Sequence, residues 1–313
     1  MKSYQRVLLY LLLVLLLTSL LSPWAAFLWD FVAAIWYGGQ GHRYTFSKIF
    51  NRLFMVLATV LFFPCRHLLK IDSLARLGLS SPRDGYRDVI KGSLLALASF
   101  ITVCLLMAVS GVYLIYFRVP FEVGLRRSLK ALLTGITVGL TEEIFFRGII
   151  FKGMREDWKP TGAFIGANVF YAAMHFIKPA QKIYLDDYGL WAGVDHLMHT
   201  FNRFLDPLGL LPGFLGLFLL GVVLSYAFQR TGSLYLSIGL HAGWVFGIKT
   251  IRVFGDFRRE NLGWIFGSSR PKIISGFATW IGILAVGVLI HWLTEGRTRL
   301  SSDPVGPHGD SPK

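Results

Sequence analysis

The sequence predicts an all-α fold, a polytopic transmembrane helix bundle of about eight membrane helices with an interfacial segment around residues 180–205. Three observations predict it. Of the 313 residues, 54% are hydrophobic and the mean hydropathy is +0.53, a composition suited to lipid rather than to a soluble domain. Apolar runs approaching the ~20 residues that a spanning helix needs recur along the whole chain. Prolines and basic residues gather between those runs, where a missing backbone donor or a charge does least harm.

The first run, residues 7–29, follows Lys2 and Arg6, and its apolar core continues past Trp24 to Trp29 without a small-residue cleavage site. It therefore reads as an uncleaved first span rather than a signal peptide. The second, 49–65, is short and carries Arg52 and Pro64 near its ends, so a dip into the bilayer stands beside a full crossing. The third, 90–117, is long enough to tilt. The fourth and fifth cover 129–151 and 160–177, and the last three cover 208–229, 233–250 and 273–294. Pro82, Pro120, Pro160, Pro207, Pro212 and Pro271 punctuate them.

Between the fifth and sixth runs, Tyr184, Leu185, Tyr188, Leu190, Trp191, Leu197, Phe201 and Phe204 stand among charged residues, a composition expected to lie flat at a membrane interface. The Ser-, Pro- and Gly-rich residues 301–313 read as a disordered end.

The formal charge of +14 could suggest nucleic acid, but the Lys and Arg residues sit in short segments between apolar runs, which suits anionic lipid headgroups. The basic segments 66–91 and 249–272 fall on opposite faces if every run spans, so charge asymmetry assigns no orientation. Cys65 and Cys104 lie in or beside apolar stretches, where a disulfide framework has no role.

The fourth run, ALLTGITVGLTEEIFFRGIIF, places Glu142, Glu143 and Arg147 among residues that belong in hydrocarbon. Each ionised side chain at mid-bilayer costs roughly 2.5–3.5 kcal/mol, so the three need partners or a hydrated cavity. Glu143 and Arg147 are spaced for an ion pair on one helical face, while Glu142, rotated by about 100°, is turned toward other helices. One reading is a buried ion pair that only fixes packing. The other is catalysis, and His175 and His241 in separate apolar runs favour it. A carboxylate with an imidazole can hold and deprotonate a water, and a second imidazole can donate to a developing oxyanion.

These residues resemble the motifs of the CPBP family, the CAAX prenyl endopeptidase and bacteriocin-processing intramembrane proteases. Glu142-Glu143-Ile144-Phe145-Phe146-Arg147 is similar to its Glu-Glu-x-x-x-Arg motif, Tyr171 to His175 to its aromatic-x-x-x-His motif, and His241 to Val245 to its His-x-x-x-Asn motif, with Val245 in place of asparagine. The likeness runs from about residue 129 to 250. It implies N-terminal membrane helices outside the match (1–120), a catalytic helix bundle (121–295) and a disordered tail (296–313).

The resemblance implies an intramembrane endopeptidase of the glutamic type. Glu142, assisted by His175, would activate water; Glu143 and Arg147 would support the site; His241 would stabilise the oxyanion. Valine donates no hydrogen bond, and Asn168 or Trp244 Nε1 are the donors in the sequence that could replace the missing one. The implied partners are a protein or peptide substrate entering from the membrane and the lipid bilayer, with no nucleic acid, no cofactor and no metal. The implied location is a bacterial cytoplasmic membrane, crossed several times.

The signatures of zinc, rhomboid-like and aspartyl intramembrane proteases, His-Glu-x-x-His, Gly-x-Ser-Gly and Gly-x-Gly-Asp, are absent. Asp195, His196 and His199 have metal-ligand side chains at helical spacing but read as a solvated or headgroup-facing cluster, and Gly255-Asp256 as a turn. Two alternatives stay open: a scaffold on the same fold that has lost turnover, and a proton-coupled transporter.

Overall fold

The computed structural model describes residues 2–36, 44–69, 71, 73–79, 82–177, 189–258, 263–267 and 273–296. Residues 180–188 of the expected interfacial segment, and the tail beyond residue 296, lie outside the described residues. In chain order the helices are α1 (Ser3–Trp36), α2 (Phe46–Cys65), α3 (Pro82–Val109), α4 (Phe121–Glu143), α5 (Lys152–Asp157), α6 (Pro160–Met174), α7 (Ala192–Phe201), α8 (Pro207–Thr231), α9 (Tyr235–Thr250), α10 (Gly263–Phe266) and α11 (Phe277–Leu293). Two three-residue strands, β1 (Tyr113–Ile115) and β2 (Gly255–Phe257), pair antiparallel. The fold is an all-α helical bundle.

Among the described residues, α1, α2, Gly85–Val109 of α3, and α8 are long and apolar enough to cross a bilayer, and α11 is a shorter apolar helix. Residues 49–65 thus form most of a 20-residue helix of spanning length. Pro212 lies inside α8 rather than between helices. In the second turn it removes one backbone bond near a terminus whose first donors have no intrahelical partner anyway, so the helix continues through it. Gly255-Asp256 belongs to β2 rather than to a turn, because Gly255 pairs with Ile115 and Asp256 with Leu114 in the ladder.

The chain divides into two compact units, residues 1–72 with 173–211 and residues 73–172 with 212–313. In the first, α1 buries Val7, Leu11, Val14, Thr18 and Ser22 at three- and four-residue spacing and leaves Leu8, Leu12 and Leu16 exposed. That is the stripe expected of a helix with one face on its neighbours and one in lipid. Ala26, Phe46, Ile49 and Phe50 form a small core against which Leu197 of α7 packs. A Cβ on Gly193 would collide with the carbonyl oxygen of Ser19, so α7 lies directly on the α1 backbone.

In the second unit α9 is held between α3 and α4. Gly239, Gly243 and Gly247 recur every four residues on one face of α9. A Cβ on Gly239 would strike the Val89 carbonyl oxygen, one on Gly243 would lie 2.8 Å from the Ser93 carbonyl oxygen, and one on Gly247 2.7 Å from the Phe100 ring. The other face meets α4: a Cβ on Gly135 would be 2.7 Å from the Ala242 carbonyl oxygen, and on Gly139 2.9 Å from that of Ile238. As position increases on α4 it decreases on α9, so the two helices are antiparallel. Small residues at four-residue spacing let backbones approach where lipid provides no hydrophobic drive between helices. A second core of Val103, Met107, Val112, Tyr113, Ile251, Phe266 and Ile273 closes the β1–β2 end of this unit.

Candidate active site

Helix α4 does not end at Glu143. It passes without a break into a π-helical segment, Ile144–Phe151, in which the Lys152 N–H donates to the Arg147 carbonyl five residues back. The wider turn rotates the downstream residues relative to α4, an irregularity frequent at functional sites. It places Phe146, Arg147 and Gly148 to Phe151 in the interior.

Four of the residues singled out in the sequence meet here. Glu143 is fully buried, and its Oε1 accepts from Arg147 Nη1 at 2.8 Å and from His241 Nδ1 at 2.8 Å. A carboxylate only accepts, so the Nδ1 of His241 carries the proton. The Nε2 of the ring points to the other side, where Glu142 Oε2 lies 3.7 Å away. The Glu142 side chain is 30% exposed and that of Glu143 0%. One side chain is thus fully enclosed, while the other is partly exposed with its Oε2 buried toward His241.

The cation is equally fixed. Arg147, 1% exposed, donates through Nη2 to the Gly221 carbonyl of α8 at 3.1 Å, and its guanidinium carbon lies 4.5 Å from the centre of the Tyr171 ring. Tyr171, on α6, stands edge-on to the rings of His241 and Phe146. Gly221 is needed there, because a Cβ would sit 2.9 Å from Asn168 Oδ1 and 3.0 Å from the Tyr171 ring. Arg147 thus combines an ion pair, a carbonyl acceptor and an aromatic face, which together offset the desolvation of a guanidinium.

The two donors that could replace the missing asparagine are both committed elsewhere. Asn168 donates through Nδ2 to the Phe164 carbonyl at 2.8 Å and accepts from Ser225 Oγ at 2.9 Å, tying α6 to α8. Trp244 Nε1 donates to Ser99 Oγ at 3.0 Å, tying α9 to α3. Val245, half-buried, follows His241 by one helical turn.

His175 occupies the turn directly after α6 and is half-buried; it belongs to the first compact unit, whereas Glu142, Glu143, Arg147 and His241 belong to the second. The cluster on α7 does not converge. Asp195 and His199 pair at 3.4 Å on the surface, while His196 is 1% exposed and lodged against the rings of Phe46 and Phe50. Burial, and next the neighbouring His199, push the His196 imidazole down to about 4, with Asp195 opposing. Among the described residues no three His, Cys, Asp or Glu side chains gather as a metal site.

Gly221 and Ser225 were not singled out in the sequence, and Tyr171 entered only as the aromatic position of a motif. The signal available was a polar side chain in each of two apolar helices, Asn168 and Ser225, since such groups find partners when buried.

Compared with known protein families, residues 125–247 match the family described as Rce1-like, type II CAAX prenyl endopeptidase. No curated protein and no solved structure matches the chain significantly.

Proposed function

We propose that this integral membrane protein, whose residues 125–247 match the Rce1-like, type II CAAX prenyl endopeptidase family, is a glutamic-type intramembrane endopeptidase in which Glu142 is the general base. The observation that carries this reading is the unequal treatment of the two adjacent carboxylates: Glu143 is consumed by Arg147 and His241, while Glu142 remains partly exposed beside the Nε2 of His241.

In the proposed reaction Glu142 takes a proton from water as the oxygen attacks the carbonyl carbon of the scissile peptide bond. The resemblance assigns His175 to the same water. The π electrons of the carbonyl move to its oxygen, and the resulting oxyanion needs a donor. His241 serves when it enters the step as an imidazolium, with Nε2–H as the donor and Nδ1–H held by Glu143. When the tetrahedral species collapses, the carbon–nitrogen bond breaks and the leaving amine takes the proton first removed from water. No organic cofactor enters these steps. With Val245 in place of asparagine, and with Asn168 and Trp244 committed to helix contacts, His241 is left as the principal side-chain donor.

The substrate is proposed to be a membrane-associated protein or peptide, and the location a bacterial cytoplasmic membrane. Comparing the termini of membrane and secreted proteins in cells with and without the chain tests both activity and substrate. Uncleaved precursors should accumulate without the chain and be processed again when it is restored, but not when Glu142→Gln or His175→Ala is supplied. Processing by both variants would refute the proposal.

A further inference from the structure

The exposed side of α4 carries a feature that the catalytic reading does not use. An open groove of about 450 Å³ runs over the first turns of the helix, lined by Phe121, Glu122, Leu125, Arg126, Leu129, Lys130 and Leu133. Leu125, Leu129 and Leu133 are 50%, 53% and 67% exposed, and the stripe continues through Ile136 and Leu140. From Leu125 to Leu140 it extends about 22 Å at ~1.5 Å per residue, longer than the ~15 Å of one hydrocarbon leaflet. Arg126 and Lys130, one turn apart, edge its upper part, and neither has an ion-pair partner among the described residues.

Two further observations set the level of that end. Tyr116, Phe117, Phe121 and Phe254 are all exposed there, and Phe117 stacks on Phe121 and meets the edge of Phe254 while occupying the space left by Gly124. Exposed aromatic rings in such a belt mark the headgroup boundary. Because α9 runs antiparallel to α4, its exposed Lys249 and the following Arg252 lie at the same end, with Arg118. Among the described residues the acidic ones there are Glu122 and Asp256, and Asp256 is already taken by Arg118 at 3.2 Å and Arg252 at 3.7 Å.

We propose that this groove binds an anionic phospholipid, with its phosphate between Arg126 and Lys130 and its acyl chains along the leucine stripe. Charge complementarity selects the headgroup, and the length and apolar lining of the stripe select a lipid over a free phosphate. The proposal stands apart from the proteolytic reading.

Native mass spectrometry of the full chain in detergent, titrated with phosphatidylglycerol and with phosphatidylcholine of equal chain length, tests it. The unmodified chain should bind phosphatidylglycerol at least about tenfold more tightly, and Arg126→Gln with Lys130→Gln should weaken that binding about twenty-five-fold, two residues at about fivefold each. Arg127→Gln makes the same charge change outside the groove and should weaken it less than about threefold. If the double variant does not fold, Lys130→Gln alone should show the single fivefold loss. Equal binding of the two lipids, an Arg127→Gln loss matching the groove pair, or full competition by soluble glycerophosphoglycerol would overturn the proposal.

Discussion

Replacing Glu143 by glutamine probes how the site is held. The carboxylate is fully buried and its one oxygen receives both Arg147 and His241 at 2.8 Å. Glutamine keeps the shape but removes the charge, leaving Arg147 as a buried guanidinium whose remaining partners are the Gly221 carbonyl and the Tyr171 ring. Removing one member of a buried ion pair costs about 3–5 kcal/mol. Arg147→Met alone should cost a similar amount, because it strands the carboxylate. The double variant Glu143→Gln with Arg147→Met strands neither charge, so its loss should fall short of the summed single losses by at least ~2 kcal/mol. Equilibrium unfolding in detergent, followed by tryptophan fluorescence, measures all three. Strict additivity would refute the pairing, and single losses below ~1 kcal/mol would refute the claim that the pair is desolvated.

The same geometry predicts other outcomes. Val245→Asn should raise kcat, by up to roughly the 10²-fold that one oxyanion donor is worth, with little change in KM; an unchanged or lower rate in a peptide-cleavage assay would show that position 245 does not face the oxyanion. Gly239→Ala puts a Cβ against the Val89 carbonyl and should cost about 1–3 kcal/mol in unfolding experiments by forcing α3 and α9 apart, whereas Gly111→Ala, which has open space, should be limited to backbone strain. His196 is neutral in both folded and unfolded chain above its ordinary value of 6.5, but between 6.5 and about 4 only the unfolded chain takes up the proton. Stability should therefore fall with acidification across that window by up to ~1.4 kcal/mol per pH unit, and His196→Leu should flatten the profile. A melting temperature with equal pH dependence in both forms would contradict this.

The charged residues of the site were legible because hydrocarbon makes them conspicuous: Glu142, Glu143 and Arg147 interrupt an apolar run, and no composition rule for a membrane helix tolerates them without partners. The partners were less legible. That His241 reaches both glutamates depends on the antiparallel packing of α4 and α9, set by Gly135 and Gly139 against Ala242 and Ile238. The repeat of Gly239, Gly243 and Gly247 is visible in the chain, but spacing does not say which helix fills it. Periodicity likewise gave no sign of the π-helical segment after Glu143, since the hydrophobic residues there continue around the whole helix. Asn168 and Trp244 were attractive as donors by chemistry alone. Only the fold shows that Ser225, Phe164 and Ser99 already hold them.

The central claim is that Glu142, the partly exposed one of the two adjacent glutamates, activates water for peptide hydrolysis. The most direct measurement is cleavage of an identified precursor by the purified chain in proteoliposomes, comparing Glu142 with Glu142→Gln at matched melting temperature. The account predicts cleavage by the unmodified chain and a rate at background for Glu142→Gln, with precursor binding retained. Cleavage by the Glu142→Gln variant at an undiminished rate would contradict it.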